Sequence, residues 1–164
     1  MHRASQKGVF TRRAGGKLFA IDKANQALDD VEQYLADLAL VGSDTLTEKS
    51  ELKLSQQAVA RLSCMMVFAI QKNAKLPSRQ GVVVATSYPR ALRQFMTDRG
   101  ITSYDYVYRP GKLENAIARG LADAIFDIRE TGKSLVVNEL DVIGLGAPID
   151  LCAVWRADEA GTTV

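Results

Sequence analysis

Histidine is almost missing from this chain of 164 residues: the single one is His2, at the extreme N-terminus. A Ser-His-Asp or Cys-His nucleophile system therefore has no well-placed base, and a histidine-ligated zinc site has too few ligands. Cysteine is nearly as scarce, and Cys64 and Cys152 lie too far apart to form a metal or redox spacing. No run of about 18 or more apolar residues is present, so no transmembrane helix is expected. The basic start is not followed by an apolar stretch of about 7–15 residues, so no secretory signal is expected either. Net charge is small as well, with 21 basic side chains against 19 acidic ones. Dedicated nucleic-acid binders usually carry a strong basic excess, so a nucleic-acid partner is not expected. What remains is a cytoplasmic protein with reduced thiols and no membrane contact.

What is present is a chain with 47% hydrophobic residues, long enough for one compact domain or two small lobes. Charge is unevenly distributed. Arg3, Lys7, Arg12, Arg13 and Lys17 fall in the first 17 residues with no acid among them, on a body that is mildly acidic. Such a start reads either as a solvated terminus or as an arm that faces an anion.

Beyond Gly15-Gly16, the run Lys17 to Ile21 reads as a strand. Asp29-Asp30 ahead of Val31, Tyr34 and Leu35 predicts a short helix with acids in its first turn. Residues 37–44 predict a strand ending in a glycine turn, and residues 62–70 a strand covered on both faces. The polar, turn-rich stretch 71–81 is the expected boundary between lobes. Val82 to Ala85 predicts a strand, Ser87-Tyr88-Pro89 opens a helix with an apolar stripe of Ala91, Leu92, Phe95 and Met96, and Gly100 ends it. Tyr104, Tyr106 and Tyr108 alternate onto one face of the next strand, a pattern expected of a packed sheet face rather than a base-stacking platform. Strand, helix and strand form a βαβ unit and imply a parallel sheet. A helix over 113–119, a strand over 124–128, and two short strands near 142–143 and 151–155 complete the expectation.

The segment Asp127 to Leu135 (Asp-Ile-Arg-Glu-Thr-Gly-Lys-Ser-Leu) is the richest in chemistry. A strand ends in acids, and Thr131-Gly132-Lys133-Ser134 turns the chain into a helix reaching Asn138. Successive backbone N–H groups of such a turn, with the Thr131 and Ser134 hydroxyls, suit a phosphate. Gly132 permits close backbone approach. Asp127 and Glu130 are placed to accept hydrogen bonds from sugar hydroxyls. The first glycine of a Walker A loop is missing. Taken alone, the same residues are more often an ordinary capped turn than a phosphate site.

Taken together, several stretches resemble the ATP phosphoribosyltransferase family. Val84-Ala85-Thr86-Ser87-Tyr88-Pro89 is similar to its ATSYP strand end, and Gly111-Lys112-Leu113-Glu114 to its S-V-E turn. Gly120 to Ile125 reads G-L-A-D-A-I, and Thr131 to Asn138 fits T-G-x-[ST]-L-x-x-N. Ala36 to Asp44 looks like D-L-G-I-x-G-x-D, and Ala4 to Phe10 faintly echoes A-L-P-K-G-R-L. The match is strongest over residues 80–143.

The resemblance implies a two-lobed α/β fold, periplasmic-binding-protein-like of type II, with a ligand cleft between lobes. One lobe would take residues 1–76 plus 144–164, on the nucleotide side; residues 77–143 would carry the phosphoribosyl-phosphate loop. It implies transfer of a phosphoribosyl group from phosphoribosyl pyrophosphate to ATP with Mg²⁺, the first step of histidine biosynthesis. That chemistry needs no histidine or cysteine. Glu114 and Asp127 would be catalytic. Asp127, Glu130, Thr131, Gly132, Lys133 and Ser134 would bind phosphoribosyl pyrophosphate, and Lys7 and Gly8 the nucleotide; no protein metal ligand is assigned. The implied partner is a synthetase-like regulatory subunit, and a second copy of the chain, as a dimer, is expected because trimmed lobes leave apolar surface to cover. Val9 stands where the family has arginine and Ile117 where it has proline, and the first family helix and the segments after the last strand are missing, so a short, N-terminally trimmed form is expected. A non-catalytic relative that binds a phosphoribosyl or nucleotide ligand is the alternative, and an interaction protein with an unused cleft is the third reading.

Overall fold

A computed structural model describes residues 11–14, 17–20, 23–77 and 81–157. The chain divides into two compact units, residues 1–61 with 150–164, and residues 62–149. The sequence reading drew its boundary in the loop at 76/77 and again at 143/144. The units instead change over inside two long strands, where the chain runs on without a turn.

The first unit contains β1 (Thr11–Ala14) and β2 (Lys17–Ala20), an antiparallel pair in which Thr11 faces Ala20. α1 (Ala24–Glu32) leads to β3 (Leu38–Gly42), which runs parallel to β2. α2 (Ser43–Glu48) follows, and β4 (Leu54–Gln71) starts in this unit. The end of β8 (Leu140–Arg156) returns antiparallel to β3, with Leu40 opposite Ala153. Ala27, Leu28 and Val31 of α1 meet Ala39, Val41, Cys152 and Val154 in one buried cluster.

The acids of α1 are not in its first turn. The helix begins at Ala24, because Ala27, Leu28 and Val31 supply the inward stripe, and Asp29 and Asp30 fall near its C-terminal end. Asp30 is fully buried and accepts a hydrogen bond from Gln26 Nε2 at 3.1 Å. Tyr34, with φ of 61°, ends the segment.

The second unit is a mixed sheet with helices on both faces. β5 (Val82–Thr86), α3 (Pro89–Asp98) and β6 (Tyr104–Tyr108) form the expected βαβ unit, and β5 and β6 run parallel. α4 (Glu114–Ala118), β7 (Ala124–Arg129) and α5 (Lys133–Val137) follow. β7 lies parallel to β5 and antiparallel to β4, giving the strand order β8-β4-β7-β5-β6.

The near-continuous apolar runs are explained by two-sided cover. Met66, Phe68, Ile70, Val82, Val84 and Phe126 face α3, with its Leu92, Phe95 and Met96. Val67, Ala69, Ala85 and Ile125 face Leu113 and Ala116 at α4. Alternate residues thus serve opposite layers, as the two-residue period of a strand requires. The rings of Phe68 and Phe95 stack with centroids 5.5 Å apart, and Phe126 lies 5.0 Å from Phe95.

Two expectations are corrected here. The last two short strands are one strand, β8, 17 residues long. Gly144 and Gly146, which follow the first of the two expected strands, are required by packing inside the single strand. A Cβ on Gly144 would sit 2.9 Å from Phe95 Cζ, and one on Gly146 would sit 2.7 Å from Met66 Cβ. The tyrosines of β6 do not form a packed face either. β6 ends the strand order, and Tyr106 and Tyr108 are 47% and 60% exposed, while Tyr104 packs against the α3 cluster.

Candidate functional site

Because β5, β6 and β7 are parallel, their carboxyl ends reach one edge of the second unit. Open α/β sheets bind ligands at that edge, where loops can converge without disturbing the core. Three segments emerge there: Ser87-Tyr88, Arg109 to Leu113, and Glu130 to Gly132.

Hydrogen bonds tie the first two together. Thr86 is fully buried; its Oγ1 donates to the Phe126 carbonyl at 2.8 Å and accepts from the Tyr88 N–H at 2.9 Å. The Arg109 N–H donates to the Thr86 carbonyl at 3.0 Å. Ser87 Oγ donates to the Arg109 carbonyl and accepts from the Gly111 N–H at 3.4 Å. The ATSYP segment thereby fixes where the next loop begins.

Asp127 and Glu114 share one region of this unit. Burial pushes the Asp127 carboxyl above its ordinary value; a hydrogen bond from the Ile128 N–H, at 2.8 Å, pulls it down, and the Glu114 charge pushes it up. Asp127 stands two residues beyond Ile125 on β7, on the face that packs against α4, and Glu114 opens α4. The two catalytic candidates are thus close enough to influence each other.

The phosphate-loop candidates follow β7 directly. Glu130, Thr131, Lys133 and Ser134 are exposed, whereas Leu135 is buried and anchors α5 against the sheet. Gly132 has φ of 75°, in the left-handed region that favours glycine. Thr131 Oγ1 accepts from the Lys133 N–H at 3.5 Å, and Asn138 Nδ2 donates to the Ser134 carbonyl at 2.8 Å. The exposed hydroxyls and the turn N–H groups therefore border solvent on the same edge as Asp127. Lys7 and Gly8 lie outside the described residues. Among the described residues no group of three or more His, Cys, Asp or Glu side chains could hold a metal ion. No helix among them is long and apolar enough to cross a membrane.

Sequence reasoning gave no site role to several residues. Thr86 and Ser87 organise the edge, and Arg109, Lys112, Asn115 and Arg119 line a cavity of about 230 Å³ beside it. The available signal was the Arg-Pro-Gly-Lys turn at the end of a parallel strand. A larger cavity of about 340 Å³ lies against α3, lined by Phe68, Phe95, Met96 and Ile101; Arg99, the one charged side chain among the described residues of its lining, is already bonded to the Phe95 and Leu145 carbonyls.

Mixed α/β units of this kind define the periplasmic-binding-protein-like fold of type II. The fold matches that of an arginine-bound arginine-binding protein from Thermotoga maritima, at 13% identity and a TM-score of 0.55, over 85% of this chain and 68% of that one. It matches the ATP phosphoribosyl transferase (HisG:HisZ) complex from the same organism more fully, at 24% identity and a TM-score of 0.77, over 96% of this chain and 77% of the other.

The chain belongs to the ATP phosphoribosyltransferase family, whose model matches residues 23–149. An ATP phosphoribosyltransferase of Parabacteroides distasonis is 33% identical over 129 residues, which cover 74% of this chain and 45% of the relative. One from Lachnoclostridium phytofermentans is 30% identical over 141 residues, covering 85% and 66%. The chain thus spans about half the length of several curated relatives it matches.

Proposed function

We propose that this chain transfers a phosphoribosyl group from phosphoribosyl pyrophosphate to ATP, as the first step of histidine biosynthesis. The observation that carries the reading is the Glu114–Asp127 pair beside the left-handed Gly132 turn, at the carboxyl edge of a parallel sheet. Family membership supports the same reaction.

In the step itself, the bond from the anomeric carbon to the pyrophosphate oxygen breaks and its electron pair leaves with pyrophosphate. A bond from a base nitrogen of ATP to that carbon forms. The transition state carries oxocarbenium character, so catalysis is positioning plus electrostatic stabilisation. Thr131 to Ser134 hold the 5′-phosphate through turn N–H groups and hydroxyls. Asp127 and Glu130 accept hydrogen bonds from the ribose hydroxyls and fix its orientation. The Asp127 and Glu114 carboxylates face positive charge as it develops on the sugar.

Mg²⁺ would be held through one or two carboxylates plus substrate phosphates, and Asp127, which feels the Glu114 charge, is suited to that need. Glu114 and Asp127 are the residues that would hold it, and when bound it neutralises charge on the departing pyrophosphate. Lys7 and Gly8 contact the nucleotide from the first unit, while the second unit, residues 62–149, holds the phosphoribosyl group. A synthetase-like regulatory subunit and a second copy of the chain complete the assembly, which works in the cytoplasm. The Thermotoga maritima relative, a HisG:HisZ complex, supports a partner of this kind.

Thermal melts separate the binding and catalytic parts of this reading. Phosphoribosyl pyrophosphate with Mg²⁺ raises the melting temperature of the wild type, and Gly132→Trp or Ser134→Asp abolishes the rise. Stabilisation without turnover favours the non-catalytic relative; the absence of stabilisation contradicts both.

A further inference from the structure

The cavity beside the carboxyl edge has a character of its own. Among the described residues its lining is Arg109, Gly111, Lys112, Asn115, Ala116 and Arg119: three cations, one amide and no acid. Among the described residues none of the three cations has an ion-pair partner. Bringing such side chains to one concave surface raises the local positive potential, which is unfavourable until an anion enters.

The backbone is built to the same end. Gly111 and Lys112 are both left-handed, with φ of 78° and 50°. That conformation is uncommon for a lysine and persists where its surroundings enforce it. Here Ser87 enforces it by bonding to Arg109 and Gly111, and the Lys112 carbonyl accepts from the Asn115 N–H at 3.1 Å. Arg119 stands four residues beyond Asn115, so the two lie on one side of the α4 segment.

We propose that this cavity is an anion site for a compact polyphosphate, separate from the turn at residues 130–134. Its size selects the ligand class. At about 230 Å³ it falls below the range of roughly 300–1,000 Å³ typical of drug-sized ligands. Among the described residues, none that lines it is an aromatic on which a base could stack. Arginine forks pair with phosphate oxygens in bidentate fashion, and Lys112 adds a point charge. The inference rests on this cavity alone and not on the catalytic reading, so absence of turnover leaves it standing.

Inorganic pyrophosphate is the probe, and amide shifts in a ¹⁵N spectrum of the whole chain are the readout. Saturable shifts at Gly111, Lys112, Asn115 and Arg119 are expected. Lys112→Asn with Arg119→Gln weakens that binding at least tenfold, and added salt weakens it further. Asparagine tolerates the left-handed backbone, so the loop is preserved. Arg119→Gln alone, at an exposed position, gives a smaller loss in the same direction if the double variant does not fold. Shifts confined to residues 130–135, no shifts at all, or an unchanged titration in a folded variant would overturn the proposal.

Discussion

Asp127 and Glu114 are electrostatically joined. Burial raises the proton affinity of Asp127, the Ile128 N–H lowers it, and the Glu114 charge raises it again. An acid whose proton affinity is higher in the folded than in the unfolded chain makes the folded state bind more protons. Its contribution to stability therefore falls as pH rises from the ordinary carboxylate range through the raised value. Asp127→Asn removes that penalty and keeps an oxygen to accept from Ile128. The melting temperature of the variant at pH 7 equals or exceeds that of the wild type, while turnover falls by about 10² or more. A clearly lower melting temperature would show that the carboxylate stabilises the fold instead.

Glu114→Gln gives a second, independent reading of the same pair. Removing its charge takes away one of the two influences that raise Asp127. The Asp127 titration, followed by NMR of the side-chain carboxyl, moves to lower pH in this variant. An unmoved titration would separate the two residues.

Gly132 tests the loop through its backbone. Its φ is 75°, yet the nearest atom a Cβ would meet is Arg129 Cδ, at 3.7 Å, an ordinary contact. Gly132→Ala therefore costs conformational strain and no clash, about 1–2 kcal/mol. Gly132→Asn costs less. Urea denaturation of the two variants distinguishes this from a steric effect, which would make asparagine the worse of the pair.

Gly146 is the opposite case. Its backbone is unremarkable for an L-residue, but a Cβ would lie 2.7 Å from Met66 Cβ and 3.4 Å from the Met66 carbonyl. Neither neighbour is the far end of a flexible chain. Gly146→Ala costs roughly 1–3 kcal/mol through forced separation of neighbouring strands, read as a lower denaturation midpoint.

The two thiols differ enough to be told apart by reagent. Cys152 is buried, and burial together with the charges of Asp150 and Asp44 pushes its thiol up, whereas Cys64 is half-buried. Thiolate is the reactive form. Under native conditions Cys64 is alkylated first, and Cys152 follows only on unfolding, as peptide mapping would record.

Local periodicity made most of the second unit legible. The proline at the start of α3, its Leu92, Phe95, Met96 stripe and the left-handed Gly100 after it all read directly from neighbouring residues. Two-sided burial was expected over residues 62–70 and holds over 66–70, Leu62 and Ser63 being exposed. What failed depended on distant atoms. The continuity of β8 through Gly144 and Gly146 was hidden because the Phe95 ring and Met66 that require these glycines lie 49 and 80 residues away in the chain. The exposure of Tyr106 and Tyr108 follows from β6 being last in the strand order, which alternation cannot reveal. Asp127 and the Thr131 to Ser134 turn were visible because a strand end and a glycine turn sit within eight residues. The Arg109, Lys112 and Arg119 cavity was not, since the loop that shapes it is held by Ser87 from the preceding strand end.

Turnover is the most direct measurement of the central claim. The purified chain is incubated with ATP, phosphoribosyl pyrophosphate and Mg²⁺, alone and with a synthetase-like subunit, and the products are resolved by mass spectrometry. The account predicts phosphoribosyl-ATP and pyrophosphate in equal amounts, lost in Asp127→Asn and Ser134→Asp variants that remain folded. No phosphoribosyl-ATP under either condition, from a wild-type chain that melts cooperatively, would contradict it.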